Sequence, residues 1–206
     1  MIGSIAAAAG RDVSRETLDR IARYEALLRE ESTRQNLVSA PTLQNLRERH
    51  ILDSAQLVKF EPQEGASWAD IGSGAGLPGM VVALLVTGPV TLIEPRRLRA
   101  EFLERVVDAL RLSGRVRVAQ SKAERIEGRF DVITARAVAA ADRLLRISTH
   151  LSTRNTVWVL PKGASAQSEL AEARRHWHCD AETVPSDTDP KSGILLLRNV
   201  RARGGR

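Results

Sequence analysis

The chain has 206 residues, enough for one domain that buries about 70% of the surface exposed by its unfolded chain. Its single cysteine, Cys179, excludes an internal disulfide, and four scattered histidines give no metal-binding cluster. No apolar run approaches the roughly 18 residues that cross a membrane, so we expect a cytoplasmic protein with neither a metal nor a membrane partner. The net charge of +6 favours a polyanion such as a nucleic acid, although an arginine-rich composition by itself also produces it.

The N-terminal part of the sequence predicts helices and no strands. Residues 1–10 are expected to form a loose N-terminus, and the spacing of Ile21, Leu28 and other apolar residues predicts an amphipathic helix over 13–31. After a break at Pro41, a second helix is expected to begin at a Thr42 cap and to continue through Leu57. Residues 1–61 are therefore predicted to form a helical extension.

Short apolar runs alternate with helices from residue 62 onwards. Helices are predicted over 78–86, 96–112, 139–150 and 165–177, and strands over 67–71, 90–94, 116–119, 130–134, 156–160, 181–184 and 194–200. This alternation predicts an α/β fold with a doubly wound, Rossmann-like, mostly parallel sheet of seven strands. The connection over 185–193 is too short for a helical crossover, so the last two strands should pair antiparallel. The core is expected over 62–200, followed by a flexible basic tail over 201–206.

A glycine-rich loop follows the first predicted strand, in the stretch DIGSGAGLPG at 70–79. Its part from Gly74 onwards matches the G-x-G-x-x-G pattern of dinucleotide-binding loops, which is weak evidence by itself. Gly72 comes earlier, however, and Asp70 precedes it. A carboxylate at this place repels a pyrophosphate but attracts the sulfonium and ammonium groups of S-adenosylmethionine (SAM). Asp70, Gly72, Gly74 and Gly76 are therefore predicted to bind SAM.

The ends of the next two predicted strands extend this site. Glu94 ends the second strand, where a carboxylate accepts hydrogen bonds from both hydroxyls of an adenosyl ribose. This geometry serves NAD and SAM alike, so an NAD-linked oxidoreductase stays open as an alternative. Ala123 and Glu124 follow the third strand, in the loop that borders the adenine in SAM-dependent enzymes.

Six segments together are typical of one known family: NLVS at 36–39, RHILDS at 49–54, DIGSGAGLPG at 70–79, EPRRLR at 94–99, TARA at 134–137 and PKG at 161–163. On these segments the sequence resembles the bacterial 16S ribosomal RNA guanine-N7 methyltransferases, the RsmG (GidB) family, over nearly its whole length. The LPG ending of the glycine loop is the most specific of these segments. Glu31 and Ala135 depart from the family pattern, which often has a tryptophan and a serine at these positions.

The resemblance implies an enzyme with a SAM-dependent methyltransferase fold. It implies that this enzyme methylates N7 of guanosine 527, in the 530 loop of 16S rRNA in the 30S ribosomal subunit. It implies cofactor contacts at Gly72, Leu77, Ala123, Glu124 and Arg136. Guanine N7 has a free lone pair and no proton to lose, so positioning can supply most of the catalysis. Arg136 and Lys162 are the candidate catalytic residues, since each follows a predicted strand at the expected methyl path.

The basic residues near these segments are candidate RNA contacts, and we expect the enzyme to act as a monomer. The candidates are Arg47, Arg49, His50, Arg96, Arg97 and Arg99. Two alternatives besides the oxidoreductase stay open, namely a non-catalytic RNA-binding protein on a SAM fold and a small-molecule methyltransferase.

Overall fold

A seven-stranded sheet forms the centre of the computed structural model, which describes residues 4–39 and 43–204 except the side chains of Glu48 and Arg49. The strands are β1 (Trp68–Ile71), β2 (Val90–Ile93), β3 (Val116–Ala119), β4 (Val132–Thr134), β5 (Val157–Lys162), β6 (Trp177–Pro185) and β7 (Gly193–Ala202). Their order is β3-β2-β1-β4-β5-β7-β6, and β7 runs antiparallel to both of its neighbours. The predicted α/β fold is thereby confirmed.

Seven α-helices have both of their ends within the described residues. They are α1 (Ile5–Ala9), α2 (Arg15–Glu31), α3 (Leu52–Ala55), α4 (Gly79–Leu85), α5 (Arg97–Ala109), α6 (Ala141–Ser148) and α7 (Ala166–His176). Within this part of the chain, no helix combines the length and the apolar character needed to span a bilayer. Alternate residues of each strand pack into separate hydrophobic clusters on the two faces of the sheet; for example, Trp68 and Val159 lie in one cluster, and Ala69 and Trp158 in the other.

The N-terminus differs from the prediction of a loose segment. Helix α1 forms over Ile5–Ala9, and Ile5, Ala8 and Ala9 are buried. The Ser4 side chain caps the helix by accepting a hydrogen bond from Ala7 N (3.1 Å), and Gly10 ends it with a left-handed φ of 63°. The alanine run therefore has both cap residues that a short helix needs, and the apolar face packs on the core.

The prediction of one continuous helix from Thr42 through Leu57 is also wrong. Instead of one regular α-helix, α3 lies between a π-helical turn (Arg47–Ile51) and a 3₁₀ segment (Gln56–Phe60). π-Helical turns are rare, and they occur frequently at functional sites. Of the predicted helix start, Thr42 lies outside the described residues.

The C-terminal hairpin is longer than the sequence predicted. Strand β6 begins at Trp177 rather than at residue 181, and β7 continues to Ala202, because Trp177 pairs with Ala202. Arg201 of the predicted flexible tail therefore belongs to the sheet, while residues 205 and 206 lie outside the described residues. The division at residues 61 and 62 stays a prediction.

The strand order reverses between β1 and β4, which both leave the sheet at the same edge. In doubly wound sheets, ligands bind at this switch point, beyond the carboxyl ends of the strands. The glycine loop follows β1 here and Arg136 follows β4, so the fold brings the two predicted parts of the site to one edge.

Candidate active site

The glycine loop is folded tightly over the ends of β1 and β2. Gly72 N and Ser73 N both donate to the Ile93 carbonyl of β2, at 2.8 and 3.1 Å. Gly72, Gly74 and Gly76 have left-handed φ values of 68°, 56° and 94°, which glycine adopts without steric cost. A Cβ atom on Gly76 would come within 3.0 Å of the Tyr24 hydroxyl, so side chains from another element already fill the space below the loop.

Tyr24 is a residue of the site that the sequence did not reveal. It lies on α2, is fully buried, and donates its hydroxyl hydrogen to the Ala75 carbonyl of the glycine loop at 2.9 Å. Burial raises its pKa above the ordinary range, so the hydroxyl stays a donor. The apolar stripe of α2 indicated a buried face, but only the tertiary structure shows that the hydroxyl supports the loop.

Replacing Tyr24 with phenylalanine should lower the free energy of unfolding by about 1–2 kcal/mol, because the buried Ala75 carbonyl loses its donor while the ring packing is kept. Urea denaturation of the parent and Tyr24→Phe measures this difference. A change below about 0.3 kcal/mol would show that the carbonyl finds another donor.

Asp70 lies beneath the loop and not on its surface. The residue is 1% exposed, and its Oδ2 accepts a hydrogen bond from Gly79 N at the start of α4, at 3.1 Å. Burial raises the pKa of its carboxyl to about 7, against the hydrogen bonds from the loop that act to lower it. Asp70 Oδ1 has no hydrogen-bond partner among the described residues. Thr134 lies opposite Asp70 where β4 pairs with β1, and its Oγ1 also lacks a hydrogen-bond partner there.

Glu94 holds the second side of the loop. Its Oε2 accepts from Gly74 N and its Oε1 accepts from Arg96 N, each at 2.8 Å, and the residue is 3% exposed. Each carboxylate oxygen keeps a further lone pair for a hydroxyl donor. The acid predicted to hold a ribose therefore also fixes the backbone on both sides of it.

The other predicted cofactor residues differ in their surroundings. Leu77 is 5% exposed and packs into a hydrophobic cluster, so its side chain belongs to the core. Ala123 is 5% exposed and lies with the exposed Glu124 in a 3₁₀ turn (Ala123–Arg125), which follows β3 after three intervening residues. These two residues are thus placed at the same sheet edge as Glu94, as predicted from the chain order.

Arg136 lies in an open cleft of about 640 Å³ at the end of β4. Its Nη1 is 2.7 Å from His50 Nδ1 and 3.7 Å from Asp53 Oδ2. A guanidinium only donates, so Nδ1 of His50 is the acceptor in this pair. Burial lowers the pKa of Arg136, and the neighbouring Asp53 acts to raise it. The arginine is therefore held in a fixed position by the π-helical turn and α3.

Asp53 joins three parts of the chain at this cleft. Its Oδ1 accepts from Gln56 Nε2 at 2.8 Å and from the Thr188 hydroxyl of the β6–β7 connection at 3.0 Å. The sequence indicated Asp53 only as part of the RHILDS segment and assigned it no role. Its contacts could not be predicted because Thr188 is 135 residues away along the chain.

Lys162, at the end of β5, lines the same cleft but has an occupied ammonium group. Its Nζ donates to Glu169 Oε2 at 2.7 Å and to the Ala139 carbonyl at 3.1 Å. The side chain is 10% exposed. The candidate catalytic residues Arg136 and Lys162 are thus brought together in one cleft, each with a carboxylate partner.

The candidate RNA contacts lie on different parts of the structure and differ in their exposure. Arg96 and Arg97 are exposed at the start of α5, and Arg97 pairs with Glu101 at 2.6 Å. Arg99 is half-buried, and Arg47 is exposed with Glu25 at 3.5 Å. His50 lines the cleft beside Arg136. The side chain of Arg49 lies outside the described residues.

Comparison with known proteins identifies the family. Residues 17–191 match the family described as rRNA small subunit methyltransferase G (GidB). The chain belongs to this family. Two proteins named ribosomal RNA small subunit methyltransferase G illustrate the similarity. The one from Rhizorhabdus wittichii is 44% identical, with 93% of this chain and 90% of the relative covered. The one from Novosphingobium aromaticivorans is 47% identical, with coverages of 88% and 80%.

Solved structures support the fold of this GidB family member. A SAM-dependent methyltransferase from Aquifex aeolicus has a TM-score of 0.58 at 15% identity, covering 76% of this chain and 92% of its own. TrmN from Thermus thermophilus has a TM-score of 0.57 at 18% identity, with coverages of 74% and 49%. At these identities the likeness concerns the fold alone, and it confirms the predicted methyltransferase architecture.

Proposed function

We propose that this protein transfers a methyl group from SAM to N7 of guanosine 527 in 16S rRNA of the small ribosomal subunit. The observation that carries the proposal is the meeting of the glycine loop and the Arg136 cleft at one switch point of the sheet. The names of the relatives support the choice of rRNA as substrate. We further propose that it acts as a monomer in the cytoplasm.

The residues at the glycine loop fit a cationic adenosyl cofactor. Asp70 Oδ1 is a buried carboxylate oxygen without a hydrogen-bond partner in the described part of the chain, and it lies next to the loop. A positively charged ligand favours the ionised form of such a group, whereas a pyrophosphate opposes it. Glu94 would hold the ribose hydroxyls, and Ala123 would border the adenine. When bound, the cofactor supplies an electrophilic methyl group on its sulfonium sulfur.

The cleft contributes position and electrostatics to the reaction. Because guanine N7 attacks through a free lone pair, the enzyme has no proton to remove and needs no general base. Arg136 is held by His50 and Asp53, so that it can pair with a carboxylate or an RNA phosphate without reorganising. Fixing a nucleophile in this way is a large source of rate enhancement.

The RNA affinity should fall steeply with salt, because exposed arginines at the start of α5 replace counterions on phosphates. Removing one phosphate contact should reduce the slope of log K against log salt by about 0.7–0.9. Titrations of Arg97→Ala with a 16S rRNA fragment measure this change. Arg129→Ala is a matched control, since Arg129 is exposed but precedes β4 and so lies at the opposite sheet edge. Equal slopes for both variants and the parent would remove Arg97 from the RNA surface.

The proposed reaction is tested by incubating the protein with methyl-labelled SAM and 30S subunits that lack the modification, followed by mapping of the labelled base. We expect one labelled guanosine with the label on N7. Labelling of another base would contradict the proposed specificity, and SAM binding without transfer would favour a non-catalytic RNA-binding protein. Binding of NADH in place of SAM would favour the oxidoreductase alternative.

A further inference from the structure

The segment after β4, residues 135–140, contacts both halves of the site; we call it the β4 loop. On one side, Arg136, Ala137, Val138 and Ala139 line the cleft. On the other side, Val138 lies over the glycine loop so closely that a Cβ atom on Gly72 would come within 2.6 Å of its Cγ2. The β4 loop therefore borders both the glycine loop and the cleft.

The backbone of the β4 loop is strained and needs external support. Ala137 has a left-handed φ of 55°, which is unfavourable for a residue with a Cβ atom. Such a conformation persists only where the surrounding structure holds it. The next helix, α6, begins directly after the loop, and its N-cap residue Ala140 makes no side-chain capping hydrogen bond.

Glu169 on α7 supplies the missing support from another element. Its Oε2 accepts from Ala141 N at 3.0 Å, which caps α6, and also from Lys162 Nζ. Lys162 in turn donates to the Ala139 carbonyl inside the β4 loop. One ion pair thus holds Ala139 inside the loop and Ala141 directly after it, and Ser165 fixes the other oxygen of Glu169 at 2.9 Å.

We propose that Glu169 and Lys162 are positioning residues for methyl transfer, which together hold the β4 loop where it borders both the cofactor site and the acceptor cleft. This inference rests on the proposed function. It assigns Lys162 an indirect role. Its ammonium group already donates hydrogen bonds to the Ala139 carbonyl of the β4 loop and to Glu169, so it acts on the substrate through the loop. Burial acts to raise the pKa of the Glu169 carboxyl, but hydrogen bonds from Lys162 and Ser165 lower it below its usual value, so the ion pair is stable at neutral pH.

The inference is tested by two rates, the release of labelled SAM into an excess of unlabelled SAM and the single-turnover methylation of 30S subunits. Glu169→Ala should speed SAM release at least tenfold and slow methylation at least tenfold, because Ala141 N loses its acceptor and Lys162, which anchors Ala139, loses the carboxylate that holds it. Lys162→Ala should act in the same direction, and the double variant should be little worse than either single one, because both belong to one unit.

Two further variants separate a positioning role from a structural one. Glu169→Gln keeps an acceptor for Ala141 N and should restore most of both rates. Glu172→Ala removes an exposed ion pair with Arg175 on the same helix and should match the parent. If Glu169→Ala only lowered the melting temperature, with unchanged release and methylation rates per folded molecule, the positioning role would be overturned. Failure of the parent to bind SAM would overturn the proposed function, and with it this inference.

Discussion

Arg136→Ala should abolish methylation of 30S subunits, with a loss of at least about 100-fold in kcat, while the fold is retained. The arginine is the cation that the cleft holds through both His50 and Asp53, so its removal eliminates the fixed donor at the end of β4. The fold should persist because Asp53 keeps its hydrogen bonds from Gln56 and Thr188. We expect a loss of only about 1–2 kcal/mol in unfolding free energy.

The measurement compares initial methylation rates and urea denaturation curves of the parent and the variant. Arg146→Ala is the matched control, because the exposed Arg146 pairs with Asp142 on the same helix, α6, and lies outside the cleft. Arg136→Lys should keep a small part of the activity, since lysine retains the charge but not the forked donor geometry. Equal turnover of Arg136→Ala and the parent would exclude Arg136 from the reaction.

The affinity for SAM should depend strongly on pH through Asp70. Its carboxyl has a pKa of about 7 in the free protein, because it is buried. A cationic cofactor favours the carboxylate, so the dissociation constant should rise by about tenfold for each pH unit below 7 and stay constant above it. Asp70→Asn should weaken binding at pH 8 and remove this dependence. Isothermal titration from pH 5 to 8 measures both effects.

A neutral ligand and an exposed aspartate provide the controls for this experiment. 5′-Methylthioadenosine shares the adenosyl group with SAM but lacks its charges, so its affinity should change little over this range. Asp19→Asn alters an exposed aspartate on α2 and should bind SAM as the parent does. A SAM affinity that is constant between pH 5 and 8 would show that Asp70 does not respond to the cofactor.

The same carboxyl should make the free energy of unfolding fall as pH rises, whereas the affinity for SAM should rise with pH. A folded-state pKa that is raised from 3.8 to about 7 stabilises the protein fully below pH 3.8, and this contribution is lost as pH rises to 7. Asp70→Asn removes the cost of a buried charge at pH 8, where it should increase the unfolding free energy by about 2–4 kcal/mol. A variant that is more stable than the parent but binds SAM less well would identify Asp70 as a binding residue.

The sequence by itself determined the sheet, the glycine loop and its place. Alternating apolar runs and helical periods are local patterns, so they predicted the strands and a switch point after β1. The glycines at 72, 74 and 76 are needed for their own left-handed backbone, which also depends on local geometry. Ser4 and Gly10, the cap residues of α1, are also local features of the sequence. The prediction of a loose N-terminus was wrong because it did not take these caps into account.

The supports of the site were decided only by the tertiary structure. Tyr24 reaches the glycine loop from 51 residues away, His50 reaches Arg136 from 86, and Glu169 caps Ala141 from 28. Such contacts leave no periodic signal, because they depend on how the helices pack on the two faces of the sheet. The sequence could thus place a cationic side chain at the end of β4 and another at the end of β5. Only the folded structure shows that Arg136 is held in the cleft by His50 and Asp53, whereas Lys162 holds the β4 loop together with Glu169.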